Sequence, residues 1–386
     1  MGKNETKQAP RMEARLRQIN LKYLLERTEG AVGRMHPYFL LDVFLVRVTC
    51  AATDLNISIV AEIEIRHDDG EEVHTGGRVC VPARKLLDLV KALPDAHIDL
   101  TLLDGYRLQI QCGDYDGIIP CVDPDEYFPL ISLPDGAPDF GCDGDLIPTL
   151  HASCAHALDK RGKSPLYGGL HLRAEGEVLL AVATDGHRCA LAGKRELDYT
   201  GAVLAKGVTV PARALGELKK IHAGTTEVYL RETNLAFVQP GITLDVRLLE
   251  GDYAEFRRII PTDHPHCCVV KAAALARIVE RVNILSDADS VTLDIAPGEG
   301  GEDGDIVVTA ENTAGRSVDL VPAEIKGESV QIRVTPGYLV EALRSLASTS
   351  EDVVIKYRDA ESALVLLPCD HSGWDERIEL FMPRRW

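Results

Sequence analysis

The sequence predicts an α+β protein of three similar domains in tandem, each with two helices and several antiparallel strands. A motif of about thirteen residues occurs three times (VPARKLLDLVKAL, VPARALGELKKIH and TPGYLVEALRSLA), with its prolines at Pro82, Pro211 and Pro336. That period is the size of a small domain and exceeds the ~20–50 residues of a solenoid repeat. Short β-rich runs separate the helical stretches, which favours the α+β class.

Each copy of the motif carries the pattern of an amphipathic helix. Proline stands at or near the first helical position, where its missing N–H is not needed. Apolar residues recur at the fourth and seventh positions after each proline, which predicts one buried stripe. These residues are Leu86, Leu215 and Val340, followed by Leu89, Leu218 and Leu343. Three unrelated amphipathic helices are the alternative, and the regular spacing argues against them.

A second helical stretch precedes each motif, and the six stretches together are basic. The preceding stretches are Asn20–Arg34, Leu146–Lys163 and Lys271–Asn283. The six windows hold 16 Lys and Arg against 7 Asp and Glu, whereas the whole chain carries a net charge of −18. If the helices share one surface, that surface is basic and attracts a phosphate backbone locally. The alternative is that Lys and Arg are simply good residues for exposed helix positions.

Between the helices the sequence predicts strands, turns and two domain boundaries. The β-rich runs are Ile57–Ile65, Val228–Arg231, Val291–Ile295, Val353–Tyr357 and Leu364–Leu367. Turn signals lie at His67–Gly70 and in the acidic, glycine-rich segment Pro297–Gly304. Pro- and Asp-rich stretches then divide the chain into a disordered tail (1–10) and domains of residues 11–137, 138–262 and 263–386.

Composition predicts a cytoplasmic protein without cofactor or metal. The sequence has no run of about 18 apolar residues, so we expect no membrane span. The N-terminus lacks the apolar core of a signal peptide. Ten scattered cysteines without a CxxC pair are expected to be reduced and mostly buried. The segment DHPHCC, from Asp263 to Cys268, is open to two interpretations, a metal site or an interdomain linker. We favour the linker, because adjacent cysteines rarely both ligate one ion with good geometry.

Motifs for catalysis are weak, so we expect no enzyme. The segment Gly162-Lys163-Ser164 resembles the end of a P-loop, but Ala157 stands where the upstream glycine is required. TDGHR, from Thr184 to Arg188, places an acid beside a histidine with no accompanying nucleophile. A hydrolase using Asp185 and His187 is the alternative from another functional class.

Several longer stretches resemble the bacterial DNA polymerase III β subunit, the sliding clamp. They run in family order and spacing from about residue 15 to the end, and TDGHR followed by FRRIIP is a specific combination. The matching stretches are ATDLNISIVAEIEI (Ala52–Ile65), VPARKLLDL (Val81–Leu89), VATDGHRCALAG (Val182–Gly193), VTVPARALGEL (Val208–Leu218), LEGDYAEFRRIIP (Leu249–Pro261) and FMPRRW (Phe381–Trp386).

The resemblance implies a closed ring of two head-to-tail subunits around duplex DNA. Helices would line the hole and sheets would form the outer wall, so that the ring slides on non-specific phosphate contacts. Arg34, Arg84 and Arg213 match basic family positions that touch DNA. Helix position and charge add five further residues, which are Lys91, Lys160, Arg161, Lys163 and Lys220. The subunit interface would include Ile284 and Leu285, opposite the region 113–119 of the partner.

The resemblance also implies a pocket for short linear peptides of partner proteins. Those partners would be DNA polymerases, repair proteins and an ATPase complex that loads the ring. The matching positions are Thr184, Gly186, His187, Arg188, Cys189, Ala254, Arg258, Ile259, Ala363, Leu380, Phe381, Met382 and Pro383. Ala254 replaces a frequent proline, and the basic, bulky Arg384-Arg385-Trp386 end replaces a smaller one, so peptide preference is expected to differ. A clamp-like paralogue or mobile-element clamp with other partners is the functional alternative.

Overall fold

The computed structural model describes residues 12–129, 131–195, 204–221, 224–286, 288–298, 303–313 and 315–385, and the expected tail (1–10) lies outside them. Its helices are α1 Gln18–Thr28, α2 Ala83–Ala92, α3 Pro124–Tyr127, α4 Leu146–Cys154, α5 Ala212–Ile221, α6 Ala272–Ser286 and α7 Pro336–Ala347. The strands of the N-terminal half are β1 Met12–Arg17, β2 Tyr38–Val43, β3 Arg47–Thr53, β4 Ile57–Glu64, β5 Glu72–Thr75, β6 Gly77–Pro82, β7 His97–Leu103, β8 Arg107–Cys112, β9 Tyr115–Pro120, β10 Phe140–Asp143, β11 Gly169–Glu175, β12 Val178–Thr184 and β13 Arg188–Lys194. Those of the C-terminal half are β14 Val208–Pro211, β15 Thr225–Leu230, β16 Asn234–Gln239, β17 Ile242–Arg247, β18 His266–Lys271, β19 Val291–Pro297, β20 Asp303–Asn312, β21 Gly315–Lys326, β22 Val330–Val334, β23 Asp352–Tyr357, β24 Leu364–Pro368 and β25 Glu376–Phe381.

Contacts divide the chain into two compact units, the first formed by 1–144 with 216–247 and the second by 145–215 with 248–386. The first unit contains a five-stranded sheet, β5-β1-β7-β8-β9, and an eight-stranded sheet, β10-β15-β16-β17-β4-β3-β2-β6. All its strand pairs are antiparallel, including β17 with β4, which joins strands from the first and second predicted domains. Hydrogen bonding of strands across that predicted boundary is why contacts group two parts of different domains together.

The second unit is organised around one twelve-stranded sheet, in the order β14-β11-β12-β13-β25-β24-β23-β18-β21-β20-β19-β22. Strands of the second and third predicted domains are joined in this sheet by the antiparallel pair β13–β25. Its register runs from Arg188 opposite Phe381 to Gly193 opposite Glu376. Helices α6 and α7 bury their apolar stripes in a core that also contains Ile355, Tyr357 and Phe381. A smaller apolar cluster lies on β12, β13, β24 and β25.

The repeated motif forms a helix in all three copies, as predicted. Helix α7 has Pro336 in its first turn, whereas Pro82 is the N-cap residue of α2, within the usual uncertainty of helix ends. No side chain caps the start of α2. Instead, the N–H of Ala83 donates to Pro37 O at 2.9 Å, so a backbone carbonyl satisfies this first N–H group of the helix. Leu89 is only half-buried, because Leu87 and Val90 share the buried face of α2 with Leu86.

Two of the preceding helices are shorter than predicted. Helix α1 ends at Thr28, whose hydroxyl donates to Leu24 O at 2.9 Å, and a 3-10 turn of Glu29–Ala31 follows. Helix α4 ends at Cys154 and is followed by a 3-10 turn of Ala155–Ala157. Arg34, Lys160, Arg161 and Lys163 are therefore loop residues, and the helix position assigned to the last three is wrong.

Predicted strands and turns agree closely with the structure. All five β-rich runs are strands within two or three residues of their predicted ends, and His67–Asp69 form a turn closed by Gly70 at φ +79°. In the predicted loop Pro297–Gly304, the two ends pair as strand residues, and 299–302 lie outside the described residues. The cysteines are thiols and not disulfides, and most are buried, as predicted. Within the described ranges, the helices are all too short or too polar to cross a membrane.

Candidate functional site

The TDGHR segment forms a tight turn between β12 and β13. The Thr184 hydroxyl donates to Arg188 O at 2.6 Å, and Asp185 Oδ1 accepts the N–H groups of His187 and Arg188 at 2.9 and 3.1 Å. Gly186 adopts φ +86°, a conformation that residues with a Cβ rarely adopt. The turn exposes the His187 side chain and leaves Thr184 buried. The Asp185 carboxylate therefore stabilises a turn by accepting hydrogen bonds from backbone N–H groups and from the Arg188 side chain.

The C-terminal tail lies beside this turn. Cys189 pairs with Leu380 in the β13–β25 ladder, and the N–H of Met382 donates to His187 O at 3.1 Å. Leu380, Cys189 and Ala363 belong to one buried apolar cluster, which also includes Phe256. The structure thus brings together residues that lie almost 200 positions apart in the sequence.

The segment from Leu249 to Ile260 covers the same apolar cluster. Phe256 is buried in it, Ile260 and Tyr253 pack against it, and Ile259 leaves 47% of its surface exposed. Met382 is also exposed, to 50%, although Leu380 and Phe381 before it are buried. Exposed apolar side chains beside a buried apolar floor are typical of a peptide-binding surface.

Ion pairs and ring stacking fix this covering segment. Arg257 bridges two carboxylates, Glu175 at 2.6 Å and Glu376 at 2.7 Å, and both acids raise its pKa. The Tyr253 ring stacks on His171 at 4.3 Å, and its hydroxyl donates to Val182 O at 3.4 Å. Burial raises the pKa of Tyr253 and lowers the pKa of His171 to about 4, so both rings are neutral at pH 7. Sequence analysis missed Tyr253 and Arg257, since their partners are distant in the chain.

Two of the predicted pocket residues point elsewhere. Phe381 is 1% exposed and packs in the large core with α6 and α7, because successive strand residues face opposite sides of a sheet. Arg188 is 8% exposed, and its guanidinium donates to Asp185 Oδ2 at 3.1 Å and to the Glu341 carboxylate of α7. The guanidinium also lies 4.3 Å from the Tyr338 ring centroid. Arg188 therefore holds the turn against α7 and contributes no exposed charge to the apolar surface.

Beneath the pocket face, β25 carries a buried ionic network. Glu379 accepts a hydrogen bond from His156 Nε2 at 2.9 Å when that nitrogen is protonated, and its other oxygen lies 3.1 Å from Arg377 Nη1. Arg377 also donates to Ser153 O at 2.9 Å and to the Ser345 hydroxyl. Arg377 and Glu379 are 1% and 2% exposed. The network fastens α4 and α7 to the same strand that carries Leu380.

Four of the eight predicted DNA-contact residues are exposed on helices, and three of these four lie near carboxylates. Arg84 lies 3.8 Å from Asp88, and Lys91 lies 3.6 Å from Glu26. Lys220 donates to Glu217 at 2.8 Å, and Arg213 is exposed on α5. Such exposed pairs contribute ~0–1 kcal/mol each, so a phosphate can replace the carboxylate at little cost.

The remaining predicted positions have simpler environments. Ile284 on α6 is 76% exposed, and the side chain of Leu285 lies outside the described residues, as does Trp386. In the DHPHCC segment, His266–Cys268 begin β18, so only its first residues serve as a linker, and His264 Nε2 contacts Ala363 O at 2.8 Å. Across the described ranges, we find no group of three His, Cys, Asp or Glu side chains placed to hold a metal ion.

Three family models match the chain in order. The N-terminal domain of the DNA polymerase III beta subunit matches residues 38–132, the central domain 146–255 and the C-terminal domain 257–382. The chain thus has three clamp domains, although contacts group them into two units. The boundaries at residues 137 and 262 stay a prediction.

Curated relatives match over most of their length. The beta sliding clamp of Halalkalibacterium halodurans is 26% identical over 345 residues, 88% of this chain and 89% of the relative. The "Beta sliding clamp homolog GriR" of Streptomyces muensis is 28% identical over 297 residues, 74% of this chain and 75% of the relative.

Solved structures have the same fold. The Bacillus subtilis DNA polymerase sliding clamp superposes with a TM-score of 0.88 at 23% identity, covering 97% of this chain and 100% of that one. The Caulobacter crescentus beta sliding clamp, described with polyethylene glycol "bound to putative beta-motif tethering region", has a TM-score of 0.86, 25% identity and the same coverage. This chain therefore belongs to the DNA polymerase III beta subunit family, the beta sliding clamps.

Proposed function

We propose that the protein is a processivity factor, not an enzyme, which encircles duplex DNA as a head-to-tail homodimer and tethers partner proteins through a peptide pocket. The observation that carries the pocket is the apolar cluster between the TDGHR turn and the tail, with Ile259 and Met382 exposed at its edge. Its partners are DNA polymerases and repair proteins with a short linear motif, and an ATPase complex that loads the ring. A protein acting on bacterial DNA works in the cytoplasm.

The pocket binds its peptide by burying apolar side chains on this cluster. An anchor side chain contributes ~1.5–3 kcal/mol when buried, so two or three anchors reach roughly micromolar affinity. Residues Cys189, Ala254, Ile259, Leu380 and Met382 supply the apolar surface. Gly186, His187, Arg258 and Pro383 border it, while Thr184, Arg188, Ala363 and Phe381 support it from beneath or beside.

Removal of residues 382–386 tests the pocket. The truncated protein is expected to lose binding of a polymerase-derived peptide, measured by fluorescence anisotropy, and to remain a dimer. Loss of the Met382 hydrogen bond leaves the β13–β25 ladder of Arg188–Gly193 intact, so the fold should survive. Equal affinity in the full and truncated chains would place the pocket elsewhere.

DNA binding is topological and rests on phosphate contacts by Arg34, Arg84, Lys91, Arg213 and Lys220. Affinity for short linear duplex is expected to be weak and to fall steeply with salt. After loading onto a closed circle, the ring should withstand moderate salt and be lost when the circle is linearised. Equal retention on linear and circular DNA would refute encirclement.

The dimer interface is proposed at Ile284 and Leu285, facing the edge strand β9 of the other subunit. Ile118 on β9 is 51% exposed, and pairing would cover both this side chain and an open sheet edge. Leu285→Asp should yield a monomer by size-exclusion chromatography with light scattering. An unchanged dimer would contradict this placement.

A further inference from the structure

A polar groove continues from the edge of the apolar cluster. It consists of two adjoining cavities of 310 and 370 Å³ that share Arg161, His187 and Tyr338 in their walls. The second cavity reaches Met382 and Arg384 of the tail. A peptide held on the apolar cluster therefore has a path into the groove past His187 and Met382.

One wall of the groove is a loop, residues 158–164, held in a fixed conformation. The Asp159 carboxylate accepts the N–H of Arg161 at 3.0 Å and the N–H of Ser164 at 2.8 Å, and Gly162 takes φ +69°. The backbone N–H of Asp159 donates to Tyr167 O at 2.9 Å. Lys160 Nζ lies 3.4 Å from Glu341 of α7. Because the loop is already ordered, a ligand that binds its side chains bears little entropic cost.

The available charge in the groove is positive. Its carboxylates Asp185 and Glu341 are both engaged by Arg188, and Asp159 is engaged by its own loop. Asp289 is the further carboxylate that lines the groove. Against it stand three exposed cations, Arg161, Lys163 and Arg384, whose side chains form no ion pair within the described ranges. The groove therefore complements negative charge.

We propose that this groove binds an acidic segment flanking the apolar motif of the partner peptide, with Arg161 and Lys163 as its specificity-determining residues. The inference rests on the proposed peptide pocket and adds a preference for negative charge in the peptide residues next to the apolar motif. Contiguity with Met382 and His187 favours a peptide as occupant over the DNA backbone, which would be expected to meet cations on the exposed helix faces.

Three synthetic peptides with one apolar motif test the proposal, carrying neutral flanks, two acidic residues before the motif, or two acidic residues after it. Their dissociation constants are measured for the wild type, for Arg161→Glu/Lys163→Glu and for Lys22→Glu/Lys85→Glu. The last variant makes the same change in net charge on helices α1 and α2 of the first unit, where Lys22 is half-buried and Lys85 is exposed.

One acidic peptide should bind the wild type about threefold to tenfold more tightly than the neutral peptide at low salt, with a smaller gain at high salt. The gain should vanish in Arg161→Glu/Lys163→Glu, persist in the control variant, and leave the neutral peptide's affinity unchanged in both.

Two outcomes overturn the proposal while the neutral peptide still binds. They are equal affinity for all three peptides, or a gain that survives in Arg161→Glu/Lys163→Glu while that variant loses retention on circular DNA. The second would assign the loop to DNA. If no peptide binds the wild type, the pocket itself is refuted and the groove inference falls with it.

Discussion

The buried pair Arg377–Glu379 makes the second unit sensitive to the loss of one charge and tolerant of the loss of both. Replacing one partner leaves the other charge almost fully buried, since the two residues are 1% and 2% exposed. Breaking a buried pair costs ~3–5 kcal/mol, whereas replacing both charges by apolar residues of similar size is often neutral. Glu379 would retain His156, and Arg377 would retain Ser153 O, so the lower part of that range is expected.

The test is a double-mutant cycle of Arg377→Met, Glu379→Leu and the double variant. With a urea slope of ~1–3 kcal/mol per M, a loss of about 3 kcal/mol should lower the unfolding midpoint of each single variant by roughly 1–3 M. The double variant should lose less than either single variant. Trp374 belongs to the second unit, and Trp386 is the fifth residue after β25 of that unit, so tryptophan fluorescence is the probe chosen for it.

Additivity is the result that would refute this reasoning. If the double variant loses the sum of the two single losses, the two charges are not coupled. The network would then stabilise α4 and α7 through separate contacts of each side chain. Transition midpoints are the quantity to compare, because the Trp374 ring lies 5.6 Å from the Arg377 guanidinium and its intensity depends on that residue.

Three further predictions concern the segments around the pocket. Burial lowers the pKa of His171 from 6.5 to about 4, so on acidification the unfolded chain takes up this proton before the folded chain does. The free energy of unfolding of the second unit should therefore fall by about 2 kcal/mol between pH 7 and pH 5. Urea titrations at both pH values should show this loss in the wild type and little of it in His171→Gln. Arg257→Met should destabilise the second unit by about 1–2 kcal/mol, since it removes a half-exposed ionic bridge to Glu175 and Glu376. This loss of stability should be smaller in high salt, which screens the bridge. A loss that does not depend on salt would indicate that Arg257 acts through packing instead. Gly186→Ala should lower the free energy of unfolding by about 1–2 kcal/mol through backbone strain at φ +86° alone, because no atom lies within 4 Å of the added Cβ. The same change should weaken peptide binding by displacing His187. Unchanged peptide affinity would exclude His187 from the pocket edge.

The helices of the repeat were predictable because their apolar spacing repeats three times. Two helices were predicted to extend too far, to Arg34 and to Lys163. Local hydrogen bonds end these helices earlier, and the spacing of apolar residues does not reveal such bonds. Thr28 bonds back to its own helix, and Asp159 collects the N–H groups of the following loop. The same Asp159 loop places Lys160, Arg161 and Lys163 at a groove instead of on a helix face, and for Arg161 and Lys163 we therefore propose a peptide as the ligand instead of DNA.

The pocket was predictable by resemblance only in outline, because resemblance does not say which way a side chain points. The period of two in β25 sends Leu380 to the pocket cluster and Phe381 to the large core. The ionic network was beyond sequence reasoning, since His156 and Glu379 are 223 positions apart and neither stands in a charge pattern. Buried charges of this kind are found by geometry alone.

A single strand, β25, therefore contributes both to the proposed peptide pocket and to the core of this unit. On one face of β25, Leu380 and Ile378 contribute to the pocket cluster, and Met382 continues that face as an exposed apolar side chain. On the other face, Arg377, Glu379 and Phe381 are buried against the helices. Under the proposed function, a partner peptide that contacts Met382 would bind a tail whose position is fixed from behind by ion pairs and core packing. Since that tail is already ordered by the β13 ladder, peptide binding should require little rearrangement, and affinity should depend mainly on the apolar area that the anchors bury.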